Sequence, residues 1–159
     1  MSNEAIGHLY GDGARTLQET FDSTRLADAL DAFTVHDALT DDDIALIREQ
    51  STVWISTVDA DGWPDVSYKG GDVGFVEVVD EHELRIPSYD GNGMMRTMGN
   101  LVDTGRIGLL FIDEARPWRM RMQGTARVTT EPTEVGAFHG AFAVIVVEIE
   151  RVFPNCGRY

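Results

Sequence analysis

The sequence has almost no lysine, almost no cysteine and no long hydrophobic run. Lys69 is the single lysine among 159 residues, so arginine supplies nearly all of the positive charge, and Cys156 is the single cysteine. One cysteine excludes an intrachain disulfide and a cysteine zinc cluster, and a terminal structural thiol is a simpler reading of Cys156 than a reactive one. No apolar stretch approaches the roughly 20 residues of a bilayer-spanning helix, and the N-terminus has no signal-peptide pattern. We therefore predict a cytoplasmic protein with no membrane partner.

Positive charge is scarce overall and concentrated in one part of the chain. The net charge of −14 argues against a nucleic-acid partner, because such binding depends on neutralising phosphates. Residues 1–50 contain eleven Asp and Glu against three Arg, whereas residues 85–127 contain seven Arg against four Asp and Glu. The second region can hold a small anion; alternatively, its arginines pair with the acidic N-terminal segment.

Signatures of hydrolytic or metal-dependent catalysis are also missing. The four histidines are scattered without metal-ligand spacing, and no GxSxG nucleophile motif occurs. Any redox chemistry would therefore come from a bound cofactor.

The N-terminal third is predicted to be helical and the remainder mainly β. We assign residues 1–20 to an N-terminal arm and residues 21–159 to one domain, whose part 21–50 is helical. Ser23 is predicted to cap a helix over 24–33, and Thr40 one over 41–50.

About seven strands follow, joined by short turns, and they predict an antiparallel barrel or sandwich. The run WRMRMQG at 118–124 alternates strictly, so Arg119, Arg121 and Gln123 share one face of a strand. That face is either a binding surface or a solvated edge.

The stretch IPSYDGNGMMRTMGNL, residues 86–101, predicts a glycine-loosened turn followed by a short helix over 94–101, which Gly105 ends. Arg96 and Thr97, beside the free amides of a helix N-terminus, are suited to a phosphate group. Lys69 closes a strand before Gly70 and Gly71, and it is either a ligand contact or an ordinary surface lysine. Met94, Met95 and Met98 are interpreted as packing residues.

Five segments in this order resemble the pyridoxamine 5′-phosphate oxidase-like family of flavin-binding proteins. They are DADGWPDVSYKGGDVGFV, IPSYDGNGMMRTMGNL, RIGLLFID, PWRMRMQGTARV and RVFPNCGRY. The resemblance implies an antiparallel split β-barrel with peripheral short helices. It also implies FMN bound at the interface of a homodimer, and hydride or electron transfer to or from a small-molecule substrate.

The resemblance further implies roles for individual residues. Lys69 would approach the flavin ring or phosphate, Ile86 and Pro87 would lie along the flavin, and Arg96 with Thr97 would bind the phosphate. Arg119 would reach the flavin across the interface. The remaining cofactor-binding candidates are Ser67, Asn92 and Arg121, of which Asn92 is equally explained by loop structure.

Two alternatives stay open beside an FMN-dependent oxidoreductase. No acid-base residue stands out, so a non-catalytic flavin-binding or flavin-sensing protein fits the same motifs. A deazaflavin- or haem-binding protein on the same barrel is a further alternative, although no histidine lies in the matched segments. Because the chain ends at PNCGRY, without the C-terminal Trp and Arg of the oxidases, a vitamin B6 substrate is not expected.

Overall fold

The computed structural model describes residues 9–156 as a helical N-terminal part followed by a β-sheet with two short helices between its strands. The helices are α1 (Asp12–Thr20), α2 (Thr24–Thr34), α3 (Asp41–Glu49), α4 (Arg96–Thr104) and α5 (Pro132–Val135). The strands are β1 (Thr52–Val58), β2 (Pro64–Gly70), β3 (Glu77–Val78), β4 (Glu83–Tyr89), β5 (Arg106–Ile112), β6 (Arg119–Thr129) and β7 (Ala141–Pro154).

All seven strands belong to one antiparallel sheet in the order β2-β1-β5-β6-β7-β4-β3. The prediction of an antiparallel split β-barrel with short helices is therefore confirmed. β2 and β3 are the edge strands, and β2 is hydrogen-bonded to β1 alone.

Strand β6 shows why the residues form this sheet. Met120 and Met122 are buried in the core, whereas Arg121 and Gln123 are exposed on the opposite face, as strict alternation predicts. A β-bulge interrupts the pairing with β7 between Gln123 and Gly124. A side chain at Gly124 would lie 2.0 Å from the carbonyl oxygen of Glu148, so glycine is required where the two backbones approach.

The predicted helices form with two differences at their N-termini. Thr40 caps α3 in a capping box with Asp43, as expected. Ser23 stands at the start of α2, but its side chain makes no capping hydrogen bond there, so this part of the prediction is wrong. The predicted helix at 94–101 begins later, at Arg96, and ends at Gly105, whose φ of 64° suits glycine.

Helices α1 and α2 form a pair that is nearly devoid of buried side chains, and we refer to residues 12–34 as the helical arm. Ala27 is the one buried residue of these two helices. The arm connects to the sheet through His36, which forms an isolated antiparallel bridge with Val152 of β7. The division of the chain at residue 20 stays a prediction.

Two further expectations concern charge and membranes. Of the seven arginines between residues 85 and 127, Arg116 is the one that contacts an acidic residue of the first fifty among the described residues, Glu49. Pairing with the acidic N-terminal segment therefore explains little of the positive cluster. None of the helices within residues 9–156 has the length and apolarity that a membrane span requires.

Candidate functional site

The edge position of β2 turns one side of this strand into a cavity wall. Asp65, Ser67 and Lys69 pair with Thr57, Ile55 and Val53 of β1, all of which are buried. Because directly paired residues of an antiparallel sheet point to the same side, the three polar side chains face inward. Because β2 is an edge strand, no further strand lies beside it on its open edge, and the three side chains remain half-buried.

The loop before α4 reaches this wall through two left-handed residues. Gly93 has a φ of 72° and Met95 a φ of 54°, which is uncommon for a residue with a side chain. The Asn92 side chain accepts a hydrogen bond from the Met94 amide at 3.0 Å and so fixes the turn between them. Helix α4 begins directly after Met95, and no side chain caps its first turn.

The strand, the loop and the helix enclose a cavity of about 290 Å³. We call the part lined by the inward face of β2 and the first turn of α4 the polar end, and the part lined by the large side chains of the loop, β4 and β7 the apolar end. The lining residues are Asp65, Val66, Ser67, Lys69, Ser88, Tyr89, Gly91, Asn92, Gly93, Met94, Met95, Arg96, Thr97, Met98 and Phe142.

The polar end contains donors that the chain itself leaves unused. Among the described residues, neither the Lys69 ammonium nor the hydroxyls of Ser67 and Thr97 have a hydrogen-bond or ion-pair partner. The Arg96 guanidinium lies 3.6 Å from a carboxylate oxygen of Asp65 and 4.0 Å from one of Asp59. Both distances exceed those of direct charge-assisted hydrogen bonds, about 2.7–2.9 Å, so Arg96 is held loosely.

Helix α4 adds to the positive potential at this end. The first amides of a helix have no intrahelical acceptor, and the helix dipole places partial positive charge there. With Arg96 and Thr97 in that first turn, the arrangement can bind an anion the size of a phosphate. Lys69 adds a further positive charge to the lining of the same cavity.

The apolar end is built from side chains that are distant in sequence. Met94 and Met95 come from the loop, Tyr89 from the end of β4 and Phe142 from the start of β7. All four side chains are exposed. The cavity thus suits a ligand with an anionic group at one end and a flat apolar group at the other.

Five of the nine predicted cofactor-binding residues meet in this cavity: Ser67, Lys69, Asn92, Arg96 and Thr97. Ile86 and Pro87 are buried in β4 and do not line it. Their successors Ser88 and Tyr89 form the wall instead.

Arg119 and Arg121 lie on the other side of the sheet. Pairing across five strands aligns Tyr68, Trp54, Leu110, Arg121 and Phe153 in one row. We call the side of β1, β2, β5 and β6 that carries this row the outward face. Trp54 and Tyr68 meet edge to face at 5.2 Å and are exposed.

The two arginines of the outward face are held by local contacts. The Arg121 guanidinium stacks on the Phe153 ring at 4.6 Å and donates to the Pro154 carbonyl. Arg119 donates to the carbonyl of Cys156, whose thiol is exposed. Neither side chain reaches the cavity of its own chain.

The structure also shows which site residues the sequence reasoning missed. Asp65 alternates with Ser67 and Lys69 on β2, so its inward position was available from the strand period. Tyr89 and Phe142 belong to separate strands, and nothing local in the sequence brings them together. Met94 and Met95 are exposed at the cavity, so their interpretation as packing residues is wrong, while Met98 does pack against the core.

Asn100 and the acidic residues of α3 have structural roles. The Asn100 amide donates to the Thr57 hydroxyl at 2.9 Å, and both side chains are buried. Asp43 closes the capping box of α3 and contacts His36 at 2.8 Å. Within residues 9–156, no group of three or more His, Cys, Asp and Glu side chains is arranged to hold a metal ion.

Solved structures with the same fold include proteins whose names give two different ligands, haem and FMN. HupZ from Group A Streptococcus is 26% identical, with a TM-score of 0.60 over 73% of this chain and 93% of that chain. The haem storage protein HutZ from Vibrio cholerae is 17% identical, with a TM-score of 0.53 over 74% of this chain and 96% of that chain. An FMN-binding protein from Syntrophomonas wolfei is 13% identical, with a TM-score of 0.51 over 88% and 95%. No curated protein matches the chain.

The sequence model of the pyridoxamine 5′-phosphate oxidase family matches residues 39–156. This span includes every strand of the sheet, helix α4 and all of the cavity residues. The chain therefore belongs to the pyridoxamine 5′-phosphate oxidase family.

Proposed function

We propose that this protein binds FMN in the cavity between β2 and α4 and uses it as an oxidoreductase acting on a small molecule. The observation that carries the proposal is the division of this one cavity into two ends. Unused cationic and hydroxyl donors lie at one end, and exposed aromatic and methionine side chains lie at the other. FMN has the same division, with a phosphate at one end and a flat ring system at the other.

At the polar end, Arg96, Thr97 and the first amides of α4 would hold the phosphate. A guanidinium can give two parallel hydrogen bonds to phosphate oxygens, and the helix dipole adds to the attraction. Asp65 lies beside Arg96 and would repel the incoming phosphate, so binding requires Arg96 to exchange this carboxylate for the ligand. Lys69 and Ser67, further along β2, would contact the remainder of the cofactor.

FMN, when bound, supplies the hydride and electron chemistry that the chain's own side chains lack. The Lys69 ammonium would favour negative charge on the ring. Tyr89, Met94 and Phe142 would exclude water from one side of the ring.

The site requires a second copy of the chain under this proposal. A volume of about 290 Å³ lies just below the range of about 300–1,000 Å³ typical of small-molecule sites, so one chain encloses only part of a flavin. Arg119 and Arg121 point away from the cavity of their own chain and would contact the flavin held by the other chain. Apolar residues of the outward face, including Trp54 and Tyr68, would form the centre of a homodimer interface.

Two alternatives use the same cavity. A flavin-binding protein without catalysis would show the same cofactor contacts, because no described residue of the cavity is an evident acid-base catalyst apart from Asp65. In a haem- or deazaflavin-binding protein, that cofactor would occupy the same cavity, and the haem storage protein HutZ shares the fold. Among the cavity residues of the described chain there is no histidine or cysteine to ligate a haem iron.

The first experiment is a fluorescence-quenching titration of the purified protein with FMN, using riboflavin as the matched ligand that lacks the phosphate. We expect FMN to bind much more tightly than riboflavin, because riboflavin lacks the phosphate that Arg96, Thr97 and the first amides of α4 would hold. Equal affinities, or the absence of binding, would contradict the proposed site. The visible spectrum of protein from its native host distinguishes flavin from deazaflavin and haem.

The second experiment tests catalysis. Stopped-flow mixing with nicotinamide nucleotides should reduce the bound flavin faster than free FMN under the same conditions. Reduction no faster than that of free FMN would support the non-catalytic alternative.

A further inference from the structure

The helical arm presents an apolar stripe that this chain does not cover. Leu26, Leu30 and Phe33 follow the spacing i, i+4, i+7 and therefore lie along one side of α2. Leu17 and Phe21 repeat the i, i+4 spacing at the end of α1, and all five side chains are exposed, Phe33 to 86%. Large apolar side chains gathered in this way on the surface mark an interaction site.

The arm is also acidic. Residues 12–34 contain five Asp and Glu against two Arg, and one of these arginines, Arg15, already pairs with Asp28 at 2.6 Å. A partner surface that suits the arm should therefore be apolar and positively charged.

The outward face of the sheet has both properties. It exposes Trp54, Val66 and Tyr68 and carries Arg106, Arg119 and Arg121. Strands β1, β5 and β6 contain no Asp or Glu, and Asp65 of β2 faces inward. Among the described residues, none of these three arginines pairs with a carboxylate.

This one-sided charge bears on the proposed homodimer. In a two-fold symmetric dimer each copy uses the same patch, so two outward faces that meet would bring six arginines together. Glu148 of β7 lies in the row of Arg106, whereas no strand carboxylate pairs into the rows of Arg119 and Arg121. Like charges at an interface cost free energy, and acidic groups from another element would offset that cost.

The arm leaves the sheet beside that same face. His36 bridges Val152, the neighbour of Phe153, and Phe153 ends the row that crosses the outward face. A chain leaving at this point is next to the boundary between two copies that pack through the outward face.

We propose that the helical arm of one copy docks, by its apolar stripe, on the outward face of a second copy and supplies the negative charge that the arginines there lack. This inference rests on the proposed function in one respect, the homodimer through the outward face. The partner is a second copy of this chain.

The sharpest test is cross-linking between two differently tagged copies, both in a Cys156→Ser background so that no native thiol remains. One copy carries Phe33→Cys and the other Val66→Cys; both positions are exposed. After mixing and treatment with a short bismaleimide, the product that joins the two tags should predominate. Replacing Val66→Cys by Val73→Cys, an equally exposed position outside the outward face, is the matched control and should give little product.

Other products would overturn the proposal. Cross-links between two Phe33→Cys copies would show that arms pair with each other. A product within a single chain carrying both cysteines would show that the arm folds back on its own sheet. No product, or as much product with Val73→Cys as with Val66→Cys, would also overturn it.

A second variant avoids new cysteines. Phe33→Ser should weaken dimerisation by about tenfold in sedimentation equilibrium, since aromatic anchors dominate interfaces. Val102→Ser, an exposed apolar residue of α4, is the control and should have little effect. An unchanged dimerisation constant for Phe33→Ser would contradict docking.

The FMN titration separates this inference from the proposed function. A dimer that binds FMN but forms no cross-link between tags would reject arm docking alone. A cross-link without FMN binding would reject the proposed cofactor and support arm docking.

Discussion

The two ends of helix α4 carry polar side chains of similar kinds, yet they are satisfied in different ways. Towards the C-terminal end, Asn100 donates to Thr57 from the middle of the helix, and the Thr104 hydroxyl lies 2.9 Å from the Val58 carbonyl. At the N-terminal end, the Thr97 hydroxyl has no partner among the described residues, and Arg96 has only distant carboxylates. Polar groups that are satisfied within the chain hold the helix on β1, and those left unsatisfied are available to a ligand.

The largest effect is expected at the C-terminal end. Asn100→Ala would remove a buried hydrogen bond and leave the Thr57 hydroxyl without a partner, and we expect the free energy of unfolding to fall by about 2–3 kcal/mol. Urea denaturation measures this change. Asn92→Ala is the matched control, because its exposed amide contacts only the Met94 backbone. Equal losses in the two variants would remove the distinction between the two ends.

The N-terminal end should affect binding with little effect on stability. Arg96→Ala would lose a charge-assisted contact to the phosphate, and we expect FMN affinity to fall by about 2 kcal/mol, roughly thirtyfold. Riboflavin affinity should not change. Arg48→Ala, on the exposed side of α3, is the control in the same quenching titration. A similar loss for FMN and riboflavin would show that Arg96 does not contact the phosphate.

A smaller effect in the opposite direction is expected from the carboxylate beside Arg96. Asp65→Asn keeps the shape of the side chain but removes a charge that repels the phosphate and competes for the guanidinium. We expect FMN to bind about threefold more tightly, in keeping with the modest energies of partly exposed ion pairs. Riboflavin affinity should stay the same, and Asp61→Asn at the β1–β2 turn is the matched control. Weaker FMN binding by Asp65→Asn would instead indicate a direct contact between this carboxylate and the cofactor.

The difference between the two ends of α4 also explains how far the sequence was informative. Arg96, Thr97 and the helix start lie within one short segment, so local motif reasoning found them together. The role of Asn100 depends on Thr57, which is 43 residues away, and nothing local in the sequence indicates this contact.

The strands were predictable for a related reason. Alternation in β6 assigns Met120 and Met122 to the core and Arg121 to the opposite side without knowledge of any neighbour. Which strand lies at the edge of the sheet depends on long-range pairing. Only the assembled sheet therefore shows that the inward face of β2 is a cavity wall and that Phe142 of β7 lines the same cavity.

The smallest effect concerns Glu134, a carboxylate that is satisfied within the chain as Asn100 is, but at the surface. Hydrogen bonds from Arg127, and then from Thr129, lower the pKa of Glu134 from 4.5 to about 2. Because the pKa of Glu134 is lower in the folded state than in the unfolded state, its ionised form stabilises the fold at pH values above the unfolded-state pKa. This contribution is lost as the pH falls from about 4.5 through about 2. The stability difference between wild type and Glu134→Gln, from urea denaturation, should therefore be constant near neutral pH and shrink below pH 4.5. In an Arg127→Gln background the same substitution should show much less pH dependence, because the first cause of the shift is gone. If the pH dependence persists without Arg127, a group other than Arg127 stabilises the ionised form of Glu134. The surface carboxylate would then differ from Asn100 in the interior, whose partner within the chain is identified.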